Sequence, residues 1–160
     1  MNILKNVESV YCDSDGVLFD FEGQSGALAR FDVEKGFFEN LTPIANNILA
    51  LKILISKGKN VHILSASPNE QADQDKLKAY AKYLPEISRD KIILCRLGED
   101  KSKYVKNMKG AMLFDDYSEN LIKWKASGGL TVKVVNSYDN EIGRHTKHNI
   151  PYVNTLLDLV

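Results

Sequence analysis

Residues 10–21 read Val10-Tyr11-Cys12-Asp13-Ser14-Asp15-Gly16-Val17-Leu18-Phe19-Asp20-Phe21. An apolar run, Ser9–Cys12, stops abruptly at two carboxylates placed two residues apart. Like charges this close repel, and they are costly to bury unless a cation, a proton or dedicated donors compensate. Their position at the end of a buried strand points to a divalent cation and a phosphate as the compensating partners. Gly16 then lets backbone N–H groups approach such a phosphate closely.

Four more apolar, β-branched runs follow: Asn60–Leu64, Lys91–Cys95, Ala111–Phe114 and Thr131–Val135. Helical patterns separate them. Thr42-Pro43 reads as a helix start, with Thr as N-cap and Pro in first position. Ile44, Ile48, Leu51 and Ile55 continue it at helical spacing, and Gly58 ends it. Pro68–Leu84 is a second helix, and its charged stretch Glu70–Lys82 reads as a solvated face. Ser118–Ala126 is a third, capped by Ser118, with Trp124 in its core. Lys101–Met108 is a short fourth, and Pro151–Leu159 reads as a C-terminal helix. Alternating strands and helices predict right-handed βαβ units. The fold class is therefore α/β: a Rossmann-like three-layer α/β/α arrangement around a mostly parallel, five-stranded sheet.

In such folds, sites form where strands end, near the point at which strand order reverses. Asp13 and Asp15 follow the first strand, Ser65 the second and Asp115-Asp116 the fourth, while Lys101 lies a short loop beyond the third. This set suits phosphate-ester hydrolysis, a reaction that needs charge neutralisation, an aligned nucleophile and a proton for the leaving oxygen. Asp13 is the candidate nucleophile. Asp15 is the candidate acid and base. Asp115 and Asp116 offer hard oxygen ligands for Mg2+, although a pair of acids before Ser118 also suits a helix N-terminus. Ser65 offers a hydroxyl to the phosphate, with a helix cap as its ordinary alternative. Lys101 offers a point charge, with Lys103 as its rival.

The remaining composition narrows the classes. The chain has 160 residues, enough for one domain, read as 1–160; it is 44% hydrophobic and 26% charged, and 21 basic residues balance 21 acidic ones. That balance argues against a broad nucleic-acid footprint. No run approaches the ~18 apolar residues of a membrane span, and Met1 to Glu8 carries no apolar leader core, so a cytoplasmic location is expected. Cys12 and Cys95 sit in apolar runs and read as buried thiols of a reducing compartment. His145 and His148 have metal-like spacing without a third partner, and read as a solvent-exposed loop.

The set Asp13-Ser14-Asp15-Gly16-Val17, Ser65, Lys101 and Asp115-Asp116, in this order, resembles the haloacid dehalogenase-like (HAD) superfamily of aspartate-nucleophile phosphatases. The resemblance implies Mg2+ contact by Asp13, by the Asp15 backbone carbonyl and by one acid of the last pair, with Asp116 favoured and Asp115 as its partner. Asp20-Phe21-Glu22, Gly36-Phe37-Phe38-Glu39-Asn40-Leu41-Thr42-Pro43, Ser67-Pro68 and Asp116-Tyr117-Ser118-Glu119-Asn120 are similar to the 5′(3′)-deoxyribonucleotidase group. That likeness implies nucleoside monophosphates as substrates, with Gly16 and Ala66 at the phosphate and Phe19, Phe21, Phe37 and Phe38 lining the pocket, although packing of the short insertion is the favoured reading of Phe37 and Phe38. The group carries a helical cap after the first motif. Here only about 20 residues separate Phe21 from Thr42, so the cap insertion, at about 22–42, is very short and the site is expected to be open. An open site leaves other readings in play. These are a phosphorylated nucleic-acid end or protein as substrate, a second subunit acting as a lid, and a non-catalytic binding module that keeps the fold.

Overall fold

The computed structural model describes residues 3–139 and 143–160. The chain runs through β1 (Ser9–Cys12), β2 (Phe19–Asp20), α1 (Ala27–Arg30), β3 (Thr42–Pro43), α2 (Ala45–Ser56), β4 (Asn60–Ser67) and α3 (Glu70–Tyr83). It continues through β5 (Ile92–Arg96), β6 (Ala111–Asp115), α4 (Ser118–Ala126), β7 (Leu130–Val134), α5 (Arg144–Lys147) and β8 (Tyr152–Val153). Six strands form a parallel sheet in the order β5-β4-β1-β6-β7-β8, and β2 pairs antiparallel with β3 in a small separate hairpin. The chain builds outward from β1 on one side, through β4 and β5. It then crosses over and builds outward on the other, through β6, β7 and β8. The carboxyl end of β1 therefore lies at the reversal, where a crevice forms.

Alternation along the strands divides the core. Val10, Cys12 and Ile63 join Leu51, Leu54 and Tyr80 on one face of the sheet. Tyr11, Leu64 and Leu113 pack with Leu121 and Trp124 on the other. Trp124 is fully buried, as expected of helix core, and its indole N–H donates to the Ala111 carbonyl at 3.1 Å. Both cysteines are free and buried.

The predicted α/β class is the one observed, with six strands in place of five. The additional strand is β8, inside the segment read as a C-terminal helix. Lys133 N–H donates to the Pro151 carbonyl and Val135 N–H to that of Val153, which holds the segment extended at the sheet edge. Only a 3-10 turn, Leu156–Leu159, remains helical. Thr42-Pro43 is likewise strand and not helix start. Proline lacks an N–H, which costs nothing in an edge position, and α2 begins after Ile44 without a side-chain cap. The Lys101–Met108 helix shrinks to a 3-10 turn, Lys101–Tyr104, capped by Asp100. In α4 the cap position belongs to Tyr117, while Ser118 is buried. His145 is also buried, packed edge-on against Tyr152 at 5.0 Å, so only His148 fits the exposed-loop expectation.

The segment between β2 and β3 holds a single four-residue helix, α1. Its stability comes from aromatic packing: Phe21 lies edge-on to Phe31 at 5.8 Å and to Phe37 at 5.7 Å, and Phe37 meets Phe38 at 5.1 Å. Leu28 and Val33 are left 81% and 78% exposed.

Candidate active site

β1 delivers Asp13 to the crevice. Its N–H donates to the Phe114 carbonyl at 2.8 Å, one step beyond the β1–β6 ladder. The chain then folds back on itself, because the Ser14 carbonyl accepts from the N–H groups of Val17, Leu18 and Phe19. Gly16 makes this turn possible. Its φ is +78°, and a Cβ there would lie 2.1 Å from an Asp116 carboxylate oxygen, so no other residue fits.

Two buried lysines hold the carboxylates. The Lys101 ammonium donates to Asp13 Oδ1 at 2.8 Å and to Asp115 Oδ2 at 2.7 Å. Asp115 also accepts from Tyr117 N–H at 2.8 Å and from the Asn120 amide at 3.0 Å. Lys76 donates to Asp15 Oδ2 at 2.6 Å and to Ser65 Oγ at 3.0 Å, with its ammonium 4.3 Å from the centre of the Phe38 ring. Asp15 Oδ1 is buried with no hydrogen-bond partner. Burial disfavours the Lys101 ammonium, but Asp115 and Asp13 more than offset it and raise its pKa. Burial raises the Asp15 carboxyl against the opposing pull of Lys76. It raises Asp115 as well, aided by Asp13 and opposed by Lys101. Asp116 is pushed up furthest by burial, then by Asp13, Asp115 and Glu22.

The donor set fits a hard divalent cation. Asp13, Asp115 and Asp116 each present a carboxylate oxygen, all within 4.8 Å of one another. Lys101 sits against two of the three, leaving the cluster short of positive charge. Oxygen-only ligands with excess negative charge are the environment Mg2+ takes.

Asp13, Asp15, Gly16, Ser65, Lys101, Asp115 and Asp116 all converge at the carboxyl ends of β1, β4 and β6. Ser65 lies within β4, which runs on to Ser67 and is longer than the apolar run implies. Ala66 is half-buried beside it. Among the aromatic residues, Phe37 and Phe38 take the packing role favoured for them. Phe19, Phe37 and Phe38 are buried, and of the four only Phe21 keeps ring surface toward solvent. Their rings form the packing of the short insertion, which requires them to face one another.

Sequence reading overlooks Lys76, Asn136 and Lys133. The Glu70–Lys82 stretch is not uniformly solvated: Asp75 and Lys76 are buried. The signal lies in Ala72, Lys76, Ala79 and Tyr80, which share one helix face at i, i+4, i+7 and i+8. Asp75 caps a loop from this helix, accepting Gly36 N–H at 2.7 Å.

Among the described residues no helix is long and apolar enough to cross a membrane. No curated protein matches the chain. Among solved structures, an L-2-haloacid dehalogenase from Xanthobacter autotrophicus with chloropropionic acid covalently bound superposes with a TM-score of 0.65 at 12% identity, over 96% of each chain. A HAD family hydrolase from Deinococcus radiodurans R1 with bound phosphate and sodium superposes with a TM-score of 0.68 at 14% identity, over 94% of this chain and 91% of its own. At these identities the likeness establishes the HAD-like fold. The model of one phosphatase family of that fold, described as 5′ nucleotidase, deoxy (pyrimidine), cytosolic type C protein, matches residues 17–150, and the chain belongs to that family.

Proposed function

We propose that the protein is a cytoplasmic, Mg2+-dependent phosphomonoesterase that hydrolyses nucleoside monophosphates through an aspartyl-phosphate on Asp13. The observation that carries this reading is the meeting of Asp13, Asp115 and Asp116 within 4.8 Å, beside Lys101. Asp13, the Asp15 carbonyl and Asp116 would hold the cation. Both carboxylate oxygens of Asp115 already accept hydrogen bonds, which favours Asp116 for the direct contact. When bound, Mg2+ offsets the charge of the incoming phosphate.

In the first step an Asp13 oxygen attacks phosphorus, the ester P–O bond breaks, and the leaving alkoxide takes the Asp15 proton. The raised Asp15 pKa supports its protonated form, and the unpartnered Oδ1 supports its role as donor. In the second step Asp15 takes a proton from water, the oxygen of that water attacks phosphorus, and the bond to Asp13 breaks. Phosphate leaves with both carboxyl groups restored. Ser65 and Lys101 bind phosphate oxygens, and Lys76 holds the Ser65 hydroxyl and Asp15 in one arrangement.

The nucleoside would lie against Phe21. A hollow of about 530 Å3 opens there, lined by Phe21, Glu22, Gln24, Ala27 and Leu28. An apolar wall with two amide- or carboxylate-bearing side chains suits a planar heterocycle. Two free buried thiols accord with a reducing compartment.

Purified protein and Asp13→Asn should be compared on p-nitrophenyl phosphate with and without Mg2+, and then on nucleoside monophosphates and 3′- or 5′-phosphorylated oligonucleotides. Asp13→Asn should fold normally and lose turnover by about 10⁴-fold or more, the scale on which removing a nucleophile acts. Wild-type turnover by that variant would overturn the mechanism. Faster hydrolysis of oligonucleotides than of mononucleotides would overturn the substrate assignment.

A further inference from the structure

Among the described residues three lysines are buried: Lys76, Lys101 and Lys133. The first two meet carboxylates of the crevice. Lys133, from the middle of β7, behaves differently. Its ammonium donates to the Asp116 backbone carbonyl at 2.7 Å and to Ser118 Oγ at 3.1 Å, and pairs with Asp139 Oδ2 at 3.3 Å. A lysine with no exposed surface is costly to place unless such partners surround it. The partners join two segments far apart in sequence, the turn after β6 and the loop after β7.

That loop carries Asn136. Its side-chain oxygen accepts Tyr138 N–H at 3.0 Å, which fixes the flip of the amide. The NH2 end must then face the crevice, where it donates to Asp116 Oδ2 at 3.2 Å and to the Gly16 carbonyl at 3.2 Å. Asp116 Oδ2 is thus held between the Gly16 backbone, which leaves no room for a Cβ, and the Asn136 amide, which bonds both. A carboxylate that ligates a metal needs its orientation set by a partner of this kind.

We propose that Asn136 is a positioning residue that aims the Asp116 carboxylate at the metal, and that Lys133, through Asp139 and the Asp116 carbonyl, keeps the Asn136 loop in place to do so. The inference rests on the reading that Asp116 holds Mg2+. It concerns the loop after β7, which none of the four predicted motifs includes.

The test uses the full chain, freed of metal and titrated with Mg2+ by calorimetry, for wild type, Asn136→Ala and Lys133→Met. Thermal melts without metal are run in parallel, with steady-state kinetics on p-nitrophenyl phosphate at saturating Mg2+. Asn136→Ala should weaken Mg2+ binding by about 10-fold or more, the usual effect of losing an outer partner of a metal ligand. Its metal-free melting temperature and its KM for the ester at saturating Mg2+ should match wild type. Asn136→Gln, which keeps the amide, should recover part of the lost affinity. Lys133→Met should also weaken Mg2+ binding, with a lower melting temperature; if it does not fold, Asn136→Ala decides. Unchanged Mg2+ affinity in Asn136→Ala overturns the proposal. So does tighter binding in Lys133→Met, the result expected if the lysine acted only as a nearby positive charge. Failure of wild type to bind Mg2+ would instead overturn the metal reading of the site, and this inference with it.

Discussion

The floor of the crevice and the roof beside it are built on opposite principles. The floor is polar, buried and tightly cross-linked: Lys101 bridges Asp13 and Asp115, and Lys76 bridges Asp15 and Ser65. The roof is apolar and short. It consists of α1 and its flanking turns, held by four phenylalanines and a surface ion pair between Arg30 and Glu34, with Leu28 and Val33 turned to solvent. If the proposed function holds, the contrast teaches that geometry for phosphate is built into the sheet. On the proposed reading, selection among phosphate esters is left to a short segment that buries Phe37, Phe38 and Leu41 in the core and turns Leu28 and Val33 outward.

The sharpest way to break this contrast is Lys101→Met. It leaves Asp13 and Asp115 buried as like charges without their common partner. Loss of one partner from a buried pair costs about 3–5 kcal/mol, so the metal-free variant should show a much lower denaturant midpoint. A wild-type midpoint would show that the floor is not held by charge. Lys76→Met should follow at about 1–3 kcal/mol, the cost of leaving buried acceptors unsatisfied. It should also slow hydrolysis of a nucleoside monophosphate more than of p-nitrophenyl phosphate, whose leaving group needs little help from Asp15. Equal slowing of both substrates would remove Lys76 from the acid–base side of the reaction.

Substitutions at the exposed roof positions, Leu28 and Val33, should have small effects on stability. Leu28→Ser should change it by no more than about 0.5 kcal/mol, the range for exposed positions. Its KM for a nucleotide should rise while its KM for p-nitrophenyl phosphate stays level. A parallel rise in both would mean that the roof acts on phosphate itself. The smallest effect belongs to His62, at the far end of the sheet and stacked on Tyr11 at 4.7 Å. Burial, then Lys91, lowers its pKa, partly offset by Asp90. The unfolded chain therefore takes up this proton first. The contribution is whole above the ordinary histidine pKa of about 6.5, and it is lost as pH falls through the folded value. His62→Phe should flatten that part of the stability profile in chemical denaturation and leave both floor and roof kinetics unchanged.

The floor was far more legible in sequence than its supports. Asp13, Asp15 and Asp115-Asp116 stand at the ends of apolar runs, where hydropathy changes abruptly and strand geometry predicts a crevice. Lys76 hides because a charged helix stretch conceals one inward-facing lysine, although Ala72, Ala79 and Tyr80 mark the face it shares. Lys133 hides for a related reason. It interrupts the apolar run Thr131–Val135 of a strand whose partners can be named only once the loops on both sides are placed. The missed β8 and the overestimated Lys101 and Pro151 helices share another cause: short segments take their conformation from edge pairing and side-chain anchors, not from their own periodicity. Phe19, Phe37 and Phe38 show the converse, since residue type alone does not separate a ring that meets ligand from one that packs against its neighbours.

The order of strands in the sheet also bears on how the molecule comes into being. β1 is made first but lies in the middle, so its neighbours β4 and β6 must be synthesised before its end can be completed. The contact between Lys101 and Asp13 spans 88 residues, that between Asn136 and Gly16 spans 120, and that between Leu156 and Asn47 spans 109. Contacts of such separation form slowly, because loop closure precedes their reward. A nascent chain that has emerged only as far as α3 exposes Asp13 with neither Lys101 nor Asp116 beside it. The first motif to leave the ribosome is the last to acquire its complete surroundings.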